Sequence, residues 1–355
     1  MLETREGRAI SCPDCGTEVA AHFLICPGCH RLVHSDALKR LADEAGAAGA
    51  AGDPTAALVA WRSALELLPA GTKQHEAIRA RIEALGRAVD ASPGPRKPKA
   101  SGGAAGWAGG AGAAGLGTIG LALWKFKFLA LMILGKGKLL LLGLTKASTL
   151  LSMFVSMGAY WTLWGWPFAV GLVLSIYVHE MGHVAALLRY GIKADAPMFI
   201  PGFGALIRAR QVLSNPREEA QVGLGGPLWG TAGAGACFAV AYAAGIPMLA
   251  AIAKLAAAIN LFNLIPVWQL DGSHAFRAFT RPQRWFAAVV ISILWATGAE
   301  HQGTAGVFLL AMLVFAAYQA AFVAPPAEGD RVSLAEYVGL AVVLTLMTRI
   351  DSFLP

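Results

Sequence analysis

Residues 173–191 read VLSIYVHEMGHVAALLRYG, and this stretch decides the fold. Apolar residues fill both of its ends, which predicts a helix of the kind that crosses a membrane. His179 and His183 stand four residues apart, so both imidazoles project from one face of that helix. Two histidines and the intervening Glu180 are costly in hydrocarbon unless they have a role. The stretch therefore predicts a membrane helix that carries a polar site.

The chemistry of that site follows from the spacing. Two imidazole nitrogens four residues apart can bind one zinc ion. Glu180 lies roughly 100° around the helix from His179, where it can reach a zinc-held water without being a ligand. We expect Glu180 to act as general base toward that water and then as proton donor to a leaving amine. This pattern is typical of a zinc-dependent hydrolase.

Catalytic zinc requires a third protein ligand and one open position. Asp271 ends the apolar run AAAINLFNLIPVWQLDGSHAF (256–276). If the histidine helix runs from outside to inside, the next two spans return Asp271 to the same depth. Other interpretations stay open: Asp271 as a helix cap, His274 as a ligand or a group orienting one, and carboxylates in predicted loops, which are Asp195, Glu218, Glu219 and Glu300.

Two asparagines lie in the apolar helix that precedes Asp271. Asn260 and Asn263 could bind each other or a neighbouring helix. Alternatively, Asn263 could steady a substrate carbonyl or the oxyanion. Pro266 is expected to kink or end the helix and so to bring Asp271 in from a loop.

The composition excludes an ordinary soluble enzyme. Hydrophobic residues make up 56% of the 355 residues and charged residues 14%, whereas a soluble fold needs more surface charge. Charged residues separate the apolar part into seven predicted spans. These lie at about 147–166, 168–189, 219–244, 248–267, 284–299, 304–323 and 333–350. An all-α multi-pass membrane protein is therefore expected.

Basic residues indicate the orientation. Residues 91–146 carry Arg and Lys but no acid, directly before the apolar spans. The positive-inside rule explains this cluster better than nucleic-acid binding does, so no nucleic-acid partner is expected. The start, MLETREGRAI, lacks the apolar region of a signal peptide. We therefore expect a cell-membrane protein with a cytosolic N-terminus, and both arginine-bearing loops around the third and fourth spans should face the cytosol.

Four cysteines stand in two Cys-x-x-Cys pairs ten residues apart, Cys12/Cys15 and Cys26/Cys29. Four thiolates in this arrangement suit a closed tetrahedral zinc site, so residues 8–35 predict a structural zinc ribbon. A c-type haem attachment at Cys26–His30 would need an exported N-terminus and leaves the first pair unexplained. Disulfides do not suit a cytosolic segment.

Three further segments precede the spans. Residues 36–90 are amphipathic and predict a helical hairpin similar to one tetratricopeptide unit, either a plain helical pair or a peptide-binding module. Residues 91–118 predict a flexible Gly/Ala-rich linker. Residues 119–146 interleave lysines with large apolar residues and predict a basic interfacial helix.

The residues quoted above resemble those of a known family. His179-Glu180-Met181-Gly182-His183, together with Asn263-x-x-Pro266 and Asp271-Gly272, is similar to the motif pair of the site-2 protease family of intramembrane metalloproteases. PMFIPGFGALIRAR (197–210) resembles that family's re-entrant hairpin, and the run from Gly225 to Gly230 resembles its Gly-Pro-containing helix start.

The resemblance implies a site-2-protease-like core at 147–280, followed by additional helices at 281–355. It implies His179, His183 and Asp271 as zinc ligands and Glu180 as the catalytic glutamate. The expected cofactors are one catalytic and one structural zinc ion. The expected function is hydrolysis of peptide bonds in or near transmembrane segments of membrane-protein substrates.

Two other functions remain open from the sequence. An inactive membrane scaffold would act through the ribbon and the helical hairpin, but a scaffold needs no Glu180. A protein partner at the ribbon and hairpin is expected for an enzyme as well. A zinc transporter or sensor would place acidic and histidine residues on several spans, whereas here they converge on one site.

Overall fold

The computed structural model describes residues 9–91, 146–298 and 303–350, apart from the single positions 203, 208, 210, 212 and 214. The predicted linker and basic interfacial helix lie outside this part, except for their edge residues 91 and 146. Two compact units form: the first comprises Met1–Ser92, Leu187–Ala194 and Ala209–Glu218, and the second comprises Pro93–Ala186, Asp195–Arg208 and Glu219–Pro355.

The first unit begins with a small β-hairpin. Strands β1 (Ala9–Ser11) and β2 (Glu18–Ala20) pair antiparallel, with Ile10 opposite Val19. A further antiparallel bridge joins Ile25 to Leu32. The β1–β2 hairpin frames the first Cys-x-x-Cys turn, and the Ile25–Leu32 bridge frames the second. The core of this segment is small and includes two of the cysteines, the buried residues being Cys12, Val19, Cys26 and Val33.

Three helices follow the ribbon: α1 (Ser35–Ala50), α2 (Pro54–Leu65) and α3 (Lys73–Ala91). Asp53 caps α2 by accepting a hydrogen bond from the Ala56 amide at 2.9 Å. Leu58, Ala64 and Ile82 are fully buried among the three helices. The sequence predicted a pair of helices here, and the structure adds α1. That helix was not predicted because its alanines and glycines lack the periodic large apolar residues that indicate a helix.

The first unit also includes two segments from later in the chain, Leu187–Ala194 and Ala209–Glu218. The boundary between the units therefore falls inside two helices, α5 (Trp166–Arg189) and α6 (Pro216–Ala244). The sequence assigned both segments to the 147–280 core. These two segments contact Arg62 and Asp90, which lie about a hundred positions or more away in the sequence.

The second unit is mostly helical. A helix lies at each of the seven predicted spans. Besides α5 and α6, the helices are α4 (Ala147–Trp164), α7 (Pro247–Asn263), α8 (Asp271–Phe276), α9 (Arg281–Ala296), α10 (Thr304–Phe322) and α11 (Arg331–Arg349). Pro227 lies inside α6 rather than near a helix start, which differs from the expectation for Gly225–Gly230. The helix begins earlier, at Pro216, where a proline is tolerated in the first turn.

Three of the described helices, α5, α10 and α11, are long and apolar enough to cross a membrane. On α10, Val314, Tyr318 and Phe322 point outward and are 55 to 77% exposed. An apolar face of this kind suits lipid contact. These features indicate a membrane protein, as the sequence predicted.

The core of the second unit lies among α6 to α11. Leu261, Phe276 and Tyr337 are fully buried there, and the Tyr337 hydroxyl donates to the Leu264 carbonyl at 2.8 Å. Near α4, strands β3 (Met198–Ile200) and β4 (Gly204–Leu206) form an antiparallel hairpin. The predicted hairpin segment is thus a β-hairpin.

Candidate metal centres

His179 and His183 lie one turn apart on α5, with their Nε2 atoms 3.1 Å from each other. The side chain of Asp271, at the start of α8, reaches both of them. Its Oδ2 lies 3.1 Å from His179 Nε2 and its Oδ1 lies 3.3 Å from His183 Nε2. The structure therefore brings together the three residues that the sequence selected as zinc ligands.

The chain delivers Asp271 to this position through a break between helices. α7 ends at Asn263, three residues before Pro266, and α8 begins at Asp271 itself. Gly272 packs directly on the Leu264 carbonyl, where any Cβ would overlap the oxygen. The carboxylate thus projects from the first residue of a short helix that returns toward α5.

Hydrogen bonds at the Nδ1 atoms orient both imidazole rings. His179 Nδ1 donates to Asn260 Oδ1 at 2.8 Å, and His183 Nδ1 donates to the Val222 carbonyl at 2.8 Å. The amide of Asn260 has a fixed direction because its Nδ2 donates to the Ala256 carbonyl. With both Nδ1 atoms protonated, both Nε2 atoms are left with a free lone pair, which is the tautomer that binds a metal.

Glycines on α5 and α6 leave the space in which the side chains of His179, His183 and Asp271 meet. A Cβ at Gly226 would overlap His183 Nε2 and lie 2.7 Å from His179 Nε2. A Cβ at Gly182 would overlap the Gly225 carbonyl oxygen, so α5 and α6 touch through their main chains at this level. The space beside the imidazoles exists because these positions have no side chain.

The donor set fits a zinc ion. Ligand atoms about 2.0–2.1 Å from zinc in a tetrahedron stand about 3.3 Å apart, close to the 3.1–3.3 Å observed among these three side chains. Asp271 Oδ2 is buried and accepts no hydrogen bond from the part of the chain that the structure describes. Two nitrogen lone pairs and a carboxylate facing one another repel unless a cation lies between them.

Glu180 and Asn263 complete the surroundings of this cluster. Glu180 is 8% exposed and close enough to interact electrostatically with both histidines and Asp271. Asn263 Nδ2 lies 3.4 Å from His179 Nε2. A carboxylate and an amide donor therefore lie near the same three donor atoms.

The other candidate side chains have different partners. His274 Nδ1 bonds to Glu219 Oε1 at 2.9 Å, and the same oxygen accepts from Arg277. Glu218 forms a buried ion pair with Arg62. These groups are not in the cluster of His179, His183 and Asp271.

A second cluster gathers the four cysteines of the ribbon. Cys12 Sγ lies 3.7 Å from Cys29 Sγ, and Cys15 Sγ lies 3.6 Å from Cys26 Sγ. Sulfurs about 2.3 Å from a tetrahedral zinc stand about 3.8 Å apart. A hydrogen bond with the Thr17 side chain lowers the pKa of Cys15 to about 6, which favours the thiolate that binds metal. This cluster suits a structural metal.

The orienting role of Asn260 did not emerge from the sequence as a distinct expectation. The available signal was a polar residue in an apolar helix, which demands a partner in a membrane. The sequence left its partner open, between Asn263 and a neighbouring helix. The structure shows that the partner is the Nδ1 atom of His179.

The fold and the site define a class: a mostly helical membrane-type protein with two clusters suited to metal ions. Over 71 residues the chain is 34% identical to the probable zinc metalloprotease EGY2, chloroplastic, of Arabidopsis thaliana. The match covers 19% of this chain and only 13% of that protein. No family model and no solved structure matches the chain. The similarity thus relates the chain in part to a zinc metalloprotease.

Proposed function

We propose that the protein is a zinc-dependent intramembrane endopeptidase of the site-2 protease type. The observation that carries this proposal is the meeting of Asp271 with His179 and His183. The two histidines and Glu180 lie on α5, which is long and apolar enough to cross a membrane. The partial similarity to a zinc metalloprotease supports the reaction class. A metal held by three side chains has a position open for substrate and water.

The side chains divide the chemistry among them. His179, His183 and Asp271 would hold the zinc ion, which when bound polarises the scissile carbonyl and makes water a better nucleophile. Glu180 accepts the proton of the attacking water and then donates it to the departing amine nitrogen. Asn263 Nδ2 is placed to donate a hydrogen bond to the oxygen that gains negative charge.

The β-hairpin is the proposed contact for the substrate. A transmembrane substrate must unwind before cleavage, and its freed backbone groups then need partners. The hairpin is held to α4, since Ser152 Oγ accepts from the Phe199 amide and Tyr160 accepts from the Gly202 amide, both at 3.1 Å. Among the described residues β4 pairs with β3 alone. An extended substrate segment can therefore add to the free edge of β4.

The orientation and the partners also belong to the proposal. The basic segment before the spans favours a cell-membrane protein with the ribbon in the cytosol. The substrates would be membrane proteins, and the ribbon and α1–α3 would contact a protein partner there. The re-entry of the hairpin into the membrane is likewise proposed.

Replacing Glu180 by Gln tests the function directly. Purified wild type in proteoliposomes, incubated with single-span membrane proteins, should cleave them, whereas Glu180→Gln should retain its zinc and lose at least about 1,000-fold in rate, as expected for an essential base. His179→Ala should lose both the zinc of this site and cleavage. Product mass spectrometry and zinc analysis supply the two measurements.

Glu83→Gln is the matched control. It neutralises a carboxylate that pairs with Arg79 on α3 at 3.4 Å, so cleavage should remain at the wild-type rate. Cleavage by Glu180→Gln at the wild-type rate would overturn the proposed role of Glu180. Absence of cleavage by the wild type would overturn the peptidase assignment.

A further inference from the structure

Arg62, on α2, binds the ends of two helices at once. Its Nε donates to the Tyr190 carbonyl at 3.0 Å, one residue beyond the end of α5. Its Nη2 donates to Glu218 Oε2 at 2.7 Å, in the first turn of α6. A single guanidinium therefore joins the C-terminal end of the histidine helix to the beginning of the next one.

The contact is buried and geometrically demanding. The side chains of Arg62 and Glu218 are 3% and 2% exposed. Gly86 on α3 makes room for the carboxylate, since a Cβ there would lie 2.8 Å from Glu218 Oε1. Buried ion pairs add little net stability because desolvation offsets the attraction. Their planar, directional hydrogen bonds instead fix the relative position of the groups that they join.

Asp90 provides a second tie to the same two helix ends. Its Oδ1 accepts from the Tyr190 hydroxyl at 2.5 Å, and its Oδ2 lies 2.9 Å from Arg217 Nε. Close by, Arg189 donates to the Val89 carbonyl at 3.1 Å. Two helices of the N-terminal segment, α2 and α3, thus each contribute a charged side chain to the junction.

The same two helices meet again at the metal cluster. His183 lies seven residues before Tyr190 on α5, and Val222 lies four residues after Glu218 on α6. The Val222 carbonyl accepts from His183 Nδ1 at 2.8 Å. A helix is stiff over one or two turns, so a change in the spacing of α5 and α6 at Arg62 changes the spacing at this hydrogen bond.

We infer that Arg62 is a positioning residue for the metal cluster, with Glu218 as its partner. It acts through the α5–α6 spacing that keeps His183 Nε2 directed at the metal. The inference rests on the proposed function, because it assigns a role toward the zinc that the function requires.

Arg62→Met removes the Nε and Nη2 donors and leaves a long apolar side chain in their place. We expect zinc to leave the His179 site about 10-fold faster into a chelator, in the range found when groups that orient metal ligands are lost. Cleavage should fall in parallel. The zinc of this site is defined as the fraction that His179→Ala lacks. Arg62→Lys should fall between the two, since an ammonium keeps the charge but lacks the planar fork.

Two further variants separate positioning from folding. Arg62→Met also leaves the Glu218 carboxylate buried without the guanidinium, which lowers the thermal unfolding temperature. The double variant Arg62→Met/Glu218→Met removes both charges, so its unfolding temperature should return toward that of wild type while zinc release stays fast. Arg79→Met breaks an exposed pair with Glu83 on α3 and should change neither measurement.

The outcomes distinguish the inference from the proposed function. Wild-type zinc release in the stable double variant would overturn the role of Arg62 and leave the peptidase assignment standing. Unchanged release in a destabilised Arg62→Met protein would do the same. A wild type with no zinc that depends on His179 would remove the proposed function, and the inference would fall with it.

Discussion

At the scale of single residues, the space around the metal cluster depends on glycine. Gly226 faces both imidazole Nε2 atoms, and Gly182 lies against the Gly225 carbonyl. His179, His183 and Asp271 supply the donor atoms of the cluster, while the glycines leave the volume in which those atoms converge. A methyl group at Gly226 would occupy the position where the donor atoms meet.

Gly226→Ala should therefore abolish zinc binding at this cluster without changing any ligand. We expect at least about a 100-fold loss of zinc affinity, because ligands must be within a few tenths of an ångström of their ideal distances. Zinc titration of the purified protein measures it. Gly235→Ala, on the same helix and with no atom within 4 Å of the added Cβ, should bind zinc normally. Equal affinities in the two variants would refute this account of Gly226.

At this scale the sequence predicted contacts between residues that are close together in the chain. A separation of four residues places His179 and His183 on one face of a helix whatever the tertiary fold, and the structure has both on one turn. Asp271 was expected from the order of the spans and from the family resemblance, because its approach depends on the chain reversing twice. The packing of Gly226 carries no local signal at all.

At the scale of elements, α8 needs support from outside. It has six residues, too few for an isolated helix to be stable. Glu219 on α6 accepts from His274 Nδ1, in the last turn of α8, and from Arg277, directly after α8. One turn further along α6, a Cβ at Gly223 would lie 2.8 Å from His274 Cβ. The helix that presents Asp271 is therefore attached to α6 along one face.

Glu219→Ala should loosen α8 and weaken zinc retention by about 10-fold, in the range seen for groups that support metal ligands. The loss of global stability should stay near or below about 1 kcal/mol, because the Arg277 side chain is 54% exposed and exposed pairs contribute little. Chelator competition and thermal unfolding measure the two effects. Glu44→Ala, which breaks the exposed Arg40–Glu44 pair on α1, should alter neither, and normal zinc retention in Glu219→Ala would contradict the supporting role.

Apolar length predicted the elements of the second unit well. Helices lie at each of the seven predicted spans, with ends that differ by a few residues. α1 was missed because Ala and Gly give no periodic pattern of large apolar residues, although Ala favours helix. A hairpin at 197–210 was expected only from the family resemblance, since strands of three residues are too short to show a period. Its re-entry into the membrane stays a prediction.

At the scale of the whole molecule, two clusters of metal-binding type lie in different compact units. The four cysteines belong to the first unit, and His179, His183 and Asp271 belong to the second. The ribbon has a core of few residues, so we expect its folding to depend on a metal ion. The second unit has a large apolar core of its own.

Cys12→Ser/Cys15→Ser should therefore remove one zinc ion and unfold the ribbon, while the zinc that depends on His179 stays bound. Two zinc ions per chain are expected in wild type and one in this variant. Zinc analysis, together with limited proteolysis between residues 9 and 34, measures the result. Cys237→Ser, which changes a thiol outside both clusters, serves as the control. Loss of both zinc ions in the double variant would show that the two sites do not bind independently.

Long-range contacts were beyond sequence reasoning at this scale. Arg62 and Glu218 are separated by 156 residues, and neither belongs to a motif. A buried ion pair can be recognised only when both partners are placed.

The direct main-chain contact between Gly182 and Gly225 has a consequence for how sequences of this kind can diverge. Backbone atoms have no rotamers, so the distance between the two helices does not depend on which apolar side chains surround them. Lipid-facing positions can then exchange Leu, Val, Phe or Ile freely while the imidazole pair keeps its place. Substitution should be tolerated over most of the apolar surface and restricted at this narrow line of glycines.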